Sequence, residues 1–260
     1  MKMKWPLAVG LFALAGIIWL LTAALPMPAR VFLLLLVVPL PVLAIAQMRM
    51  LGDQELPRLP VYVSTSISLW FLAFAAVTVS AYSDFTAALI GLRPVPLRPL
   101  WSWTVFGFAT AVALYAFSRH FNVKESPLLD QLLPRTRTER LAFVFVSLTA
   151  GICEEIVFRG FLIAALTPVF GNIVPAVIAS CILFGVLHSY QGIVGGVRAG
   201  ILGLALAIPF AATGSVLPSM IAHTLIDVVA GLWLMSEPDA AHALHQTVMF
   251  QSGGTHESGA

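Results

Sequence analysis

The chain has 260 residues, of which 59% are hydrophobic and only 10% charged, with a formal net charge of +2 at pH 7 and a mean hydropathy of +0.94. So little polar surface cannot cover a water-soluble domain of this size, which excludes a soluble globular protein and leaves the small net charge without meaning for nucleic-acid binding. In lipid each backbone polar group must be satisfied within its own segment, so long apolar runs are read as helices, whereas a barrel would need short alternating strands.

A spanning helix takes about 20 apolar residues. In chain order the sequence predicts eight spans, at 5–24, 31–47, 61–82, 100–117, 141–166, 173–188, 194–212 and 216–235. The expected fold is an all-α, polytopic helical bundle with an internal polar cavity. Residues 1–140 form an N-terminal transmembrane region with four spans and a basic loop, 141–236 a helical core, and 237–260 a polar tail. Residues 84–99, with Pro94, Pro96 and Pro99, read as an interfacial loop. The Gly-interrupted seventh span, the short sixth and the charged fifth are expected inside the bundle.

Lys and Arg in short loops stay on the cytoplasmic side. With both termini inside, that side collects Lys2, Lys4, Arg49, Arg58, Arg119, Lys124, Arg135, Arg137, Arg140 and Arg198, against Arg30, Arg93 and Arg98 outside. A bacterial inner membrane is the expected location. The first span has a signal-peptide reading too, because Lys2 and Lys4 precede an apolar run. Cys153 and Cys181 both fall within spans, where they behave as small apolar residues and imply no disulfide framework.

Three polar islands interrupt the apolar runs: Glu154, Glu155 and Arg159; Phe184 with His188; and His223 with Asp227. Charged groups at bilayer depth cost a few kcal/mol each, so they face a polar interior and perform a task there. At about 100° per residue, Glu155 and Arg159 share one helix face and pair, while Glu154 points a quarter turn away. Glu154 then has no counter-charge on its own helix and is free to face a cavity as a general base. Phe184 and His188, like His223 and Asp227, are four apart and share a face. A packing network between helices would also account for the Glu155–Arg159 pair alone; two histidines, a spare glutamate and an aspartate on separate spans point to catalysis.

In this order, Glu154-Glu155-x-x-x-Arg159, Phe184-x-x-x-His188 and His223-x-x-x-Asp227 resemble the three signatures of the CPBP intramembrane proteases, the family of type II CAAX prenyl endopeptidases and Abi proteins. The resemblance covers about residues 141–235 and implies a membrane-embedded peptide-bond hydrolase. It implies that Glu154 and His188 activate the attacking water and that His223 and residue 227 stabilise the oxyanion, with Glu155, Arg159 and Phe184 in support. Many family members carry Asn at the last position. An ionised Asp227 accepts hydrogen bonds and cannot donate to an oxyanion, so orienting His223 or holding it protonated is its more conservative role.

No cofactor is favoured. A zinc-assisted alternative would use Glu154, His188, His223 and Asp227 as ligands with an open water position. Outside enzymes, a transporter would place such groups near the midplane, and an inactive immunity scaffold would keep them for stability. No His-Glu-x-x-His, Gly-x-Gly-Asp or Gly-x-Ser-x-Gly pattern supports other hydrolase chemistry. The expected partners are membrane lipids and a peptide or membrane-protein substrate, including one with a lipidated C-terminus, and no nucleic acid. His242, His245 and His256 in the tail are assigned no metal.

Overall fold

The structure, a computed structural model, describes residues 5–51, 56–121 and 126–233. The tail at 237–260 with its three histidines, and Lys2, Lys4 and Lys124, lie outside the described residues. The described residues form helices α1 (Trp5–Leu21), α2 (Met27–Val37), α3 (Pro39–Leu51), α4 (Arg58–Tyr82), α5 (Leu97–His120), α6 (Pro127–Leu132), α7 (Arg137–Glu154), α8 (Ile163–Phe170), α9 (Ile173–Leu187), α10 (Gly192–Thr213) and α11 (Leu217–Trp233). No strand occurs among them.

Among the described residues, five helical segments are long and apolar enough to cross a membrane: Met27–Ala46, Arg58–Tyr82, Leu97–His120, Arg137–Phe170 and Ser189–Thr213. Three shorter apolar helices, Val9–Leu21, Ile173–Leu187 and Leu217–Leu232, occupy the positions of the remaining sequence-predicted spans. At 1.5 Å per residue, the 15 residues of α9 rise about 22 Å, less than the roughly 30 Å hydrocarbon layer. Helix α9 ends at His188, its C-terminal cap. The second span is broken into α2 and α3 where Pro39 removes a backbone donor and crowds the preceding turn.

Local chemistry fixes the ends of the core helices. Thr136 and Glu139 form a reciprocal capping box at the start of α7. Gly171, at φ 67°, closes α8 in the left-handed region, and the Asn172 side chain then accepts from the Val174 N–H to open α9. Between α7 and α8 the chain does not stay α-helical. Residues Glu155–Leu162 form a π-helical stretch whose eight residues are all buried. Such stretches, with i→i+5 bonding, are rare and often found at functional sites. The sequence predicts a regular helix through the whole fifth span, and the structure departs from it here.

The loop at 84–96 is also more than interfacial. Ile90 and Gly91 are buried, the Gly91 carbonyl accepts from Val216 N at 3.0 Å, and the Arg93 carbonyl accepts from Ser215 Oγ at 2.7 Å. Gly160 in the π-helical stretch makes room for this loop, since a Cβ there would lie 2.7 Å from the Ile90 carbonyl oxygen. The basic loop that follows α5 contains a helix the sequence does not predict, α6, capped by Ser126.

Around this frame α7 packs against α4 and α11, and α10 packs against α9, α5 and α11. Glycines allow the closest approaches. A Cβ on Gly151 would fall 2.1 Å from Thr224 Oγ1 and 2.8 Å from the Thr224 backbone nitrogen, so α7 and α11 touch backbone to backbone there. Gly185 of α9 stands in the same relation to the Gly196 carbonyl of α10, at 2.7 Å, in keeping with the close helix approach expected of the glycine-rich seventh span. Cys153 and Cys181 are free and buried.

Candidate active site

The contact at Gly151 brings α11 alongside the last turn of α7 and so sets His223 against the two adjacent glutamates. Glu154 and Glu155 diverge by about a quarter turn, and the His223 ring bridges the gap. Its Nδ1–H donates to Glu155 Oε1 at 2.8 Å, while its Nε2 lies 3.9 Å from Glu154 Oε2 and 3.7 Å from Asp227 Oδ2. On the other side of Glu154, His188 Nε2 is also 3.9 Å from Oε2. Glu154 Oε2 itself is buried and has no hydrogen-bond partner.

Each histidine has one nitrogen committed away from this centre. His188 Nδ1 lies 2.8 Å from the Phe184 carbonyl; a carbonyl can only accept, so Nδ1 carries a proton, and in its neutral form the ring turns an unprotonated Nε2 toward Glu154. His223 is held by Glu155 in the same manner. The sequence assigns the orienting of His223 to Asp227; Glu155 provides that hydrogen bond, and Asp227 stands beside the opposite nitrogen.

Behind this layer sits the ion pair expected from the four-residue spacing. Arg159 Nη1 donates to Glu155 Oε1 at 2.9 Å, with side chains 1% and 0% exposed. Arg159 Nη2 donates to the Gly203 carbonyl of α10 at 3.0 Å. One carboxylate oxygen thus accepts from both Arg159 and His223, linking the π-helical stretch, α10 and α11. The guanidinium also lies 4.7 Å from the Phe184 ring centre, within cation–π range. The same ring is 4.2 Å from the His188 ring, so Phe184 stands between the buried cation and the catalytic candidates. Ser180 bonds helix to helix, its Oγ donating to the Phe158 carbonyl at 2.9 Å.

Glu154, Phe184, His188, His223 and Asp227 line a single cavity of about 470 Å³. Its other walls come from α4, α5, α6 and α10, and are mostly apolar, with Leu69, Phe108, Val112, Leu129 and Leu202 among them. Glu155 and Arg159 do not line it. Tyr190 and Gln191, just beyond His188, do. The sequence gives no sign of either, because a tyrosine after the last apolar residue of a short span carries no periodic or motif signal.

The four residues named for zinc do face one space. Among the described residues, however, no group of three or more His, Cys, Asp or Glu side chains is placed to hold a metal ion.

A buried acid–base cluster opening on an apolar chamber inside a helical bundle is an arrangement suited to hydrolysis within a membrane. Residues 136–229 match the family model described as Rce1-like type II CAAX prenyl endopeptidase, from the N-cap of α7 to the penultimate turn of α11. This match, over about a third of the chain, supports a CPBP/CAAX protease family assignment and an intramembrane-protease kind of function. Neither a curated protein nor a solved structure gives a significant match.

Proposed function

We propose that the chain is an endopeptidase that hydrolyses a peptide bond of a membrane-associated or lipidated substrate with a water held between Glu154 and His188. The observation that carries this reading is the buried, unpartnered Glu154 Oε2, 3.9 Å from the Nε2 atoms of both histidines on the cavity wall. That separation is too long for a direct hydrogen bond and within the span of one bridging water. Glu154 and His188 Nε2 both accept, so together they would engage the two hydrogens of that water and aim its oxygen lone pair into the cavity.

Attack on the substrate carbonyl forms the new C–O bond as Glu154 takes the water's proton. The negative charge moves to the former carbonyl oxygen, and His223, in its protonated form, donates from Nε2 to that oxygen. Collapse breaks the C–N bond, and Glu154 returns the proton to the departing amine. Asp227, as a carboxylate, accepts rather than donates; its place beside His223 Nε2 suits it to favour the protonated ring and to position neighbouring water.

The apolar walls fit a hydrocarbon-bearing or transmembrane substrate better than a charged one. The cavity reaches α6 in the basic loop, and with that loop cytoplasmic, as its arginines favour, substrates would enter from the cytoplasmic leaflet of a bacterial inner membrane.

The test uses the purified full chain in liposomes with quenched fluorogenic peptides, with and without a C-terminal prenylcysteine. Glu154→Gln should cut the rate about 10²- to 10⁴-fold, the usual worth of a general base, with an unchanged thermal midpoint. Equal cleavage by the variant would remove Glu154 from the chemistry and leave a transporter or scaffold reading. Cleavage confined to the prenylated peptides would mark CAAX-type specificity. Full activity after exhaustive chelation supports the metal-free route, and loss reversed by zinc would support the alternative.

A further inference from the structure

Hydrolysis concentrates charge on one oxygen, and a dry site needs fixed donors aimed at it. The proposed catalytic groups supply few. Glu154 and an ionised Asp227 accept only, the His188 Nδ1–H is committed to the Phe184 carbonyl, and His223 has a single nitrogen turned toward the cavity. Of the other cavity-lining phenols, Tyr62 donates its proton to the Leu132 carbonyl at 2.5 Å, and Tyr115 projects from α5 with no ring contact to either histidine among the described residues.

Tyr190 differs from both. Its ring centre lies 5.8 Å from that of His188, and it lines the same cavity. Its hydroxyl accepts from Gln191 Nε2 at 3.3 Å. Accepting a hydrogen bond leaves the hydroxyl's own proton available and, by polarising the O–H, strengthens it as a donor. The turn that carries it is pinned: Gln191 N donates to the His188 carbonyl at 3.0 Å, Ser126 Oγ donates to the Tyr190 carbonyl at 3.2 Å, and Gly192 takes φ 83°, a conformation few other residues adopt readily. His188 and Tyr190 are therefore held by one short segment and move as a unit.

We propose that the Tyr190 hydroxyl is a catalytic hydrogen-bond donor, completing with His223 a two-donor pocket for the oxyanion. The assignment rests on the proteolytic reading above. No proton is transferred; the phenol donates to the oxygen as its charge develops and releases it when the C–N bond breaks.

The test compares wild type, Tyr190→Phe, Glu154→Gln and the double variant Tyr190→Phe/Asp227→Asn on the same fluorogenic peptides in liposomes. Tyr190→Phe should lower kcat about 10²-fold, near the loss known for one oxyanion donor, with KM and the thermal midpoint nearly unchanged. The Asp227→Asn change puts an amide N–H donor on the other side of His223, so the double variant should regain part of the lost kcat. Wild-type kcat in Tyr190→Phe, beside an inactive Glu154→Gln, overturns the role of Tyr190 and leaves the proteolytic reading standing. A joint fall of kcat and thermal midpoint with no recovery in the double variant also overturns it, as a purely structural contribution. Absence of cleavage by wild type would remove the proteolytic reading and this role with it.

Discussion

Helices α4 and α5 bury small groups such as Ala73, Ala76, Ser80, Thr104 and Gly107, and turn Phe71, Phe74, Trp101 and Val105 outward. Ser80 Oγ donates within its own helix to the Ala76 carbonyl at 2.7 Å, while Thr104 Oγ1 donates to the Pro218 carbonyl of α11 at 3.3 Å. The segment from α7 to α8 buries Glu155 and Arg159 instead, and ties Arg159 to α10 and Glu155 Oε1 to α11. Apolar packing in lipid tolerates sliding and substitution, because acyl chains are as apolar as the side chains they replace. A buried charge tolerates one arrangement of its partners. The N-terminal helices shape and wall the chamber, while the C-terminal ones fix where its reactive groups stand.

The sharpest way to break this contrast is to strand a charge. Arg159→Ala or Glu155→Ala leaves an uncompensated buried ion, a loss of about 3–5 kcal/mol, expected as poor yield and a lowered thermal midpoint in detergent; a normal melting profile for Arg159→Ala would show that the pair holds nothing together. Next comes the helix contact. Gly151→Ala forces a methyl into the Thr224 backbone, an overpacking worth about 1–3 kcal/mol. Displacing His223 by an ångström should lower peptide cleavage about 10²-fold. If activity survives while stability falls, α11 adjusts without moving the ring. Least affected should be the lipid-facing surface. Phe74 is 71% exposed, and Phe74→Leu should change the thermal midpoint by the equivalent of about 0.5 kcal/mol or less. A large loss there would mean that another element covers α4.

What can be read from sequence alone follows the same division. The Glu155–Arg159 pair is legible because both partners sit on one helix, four residues apart. The divergence of Glu154 from Glu155 is legible for the same reason, and the three islands stand out because charges are conspicuous in an apolar run. The His223–Glu155 bond is not legible: it depends on how closely α11 approaches α7, which Gly151 sets and no local period records. The π-helical stretch is hidden because hydrophobic spacing over eight residues does not separate it from an α-helix. The burial of Ile90 and Gly91 is masked by the prolines that follow them, which signal a turn but not where the turn is packed. Tyr190 belongs to a 3-10 turn too short to leave any pattern.

The sharing of Glu155 Oε1 between Arg159 and His223 has a consequence for how the molecule fails. The atom that aligns the imidazole is the same one that neutralises the guanidinium, and the guanidinium in turn grips the neighbouring rod through Gly203. Loosening the imidazole on warming removes one of the two donors from that oxygen and so perturbs the clasp on the cation. Inactivation and melting should therefore arrive as one event, and a well-assembled yet inert species should not accumulate between them.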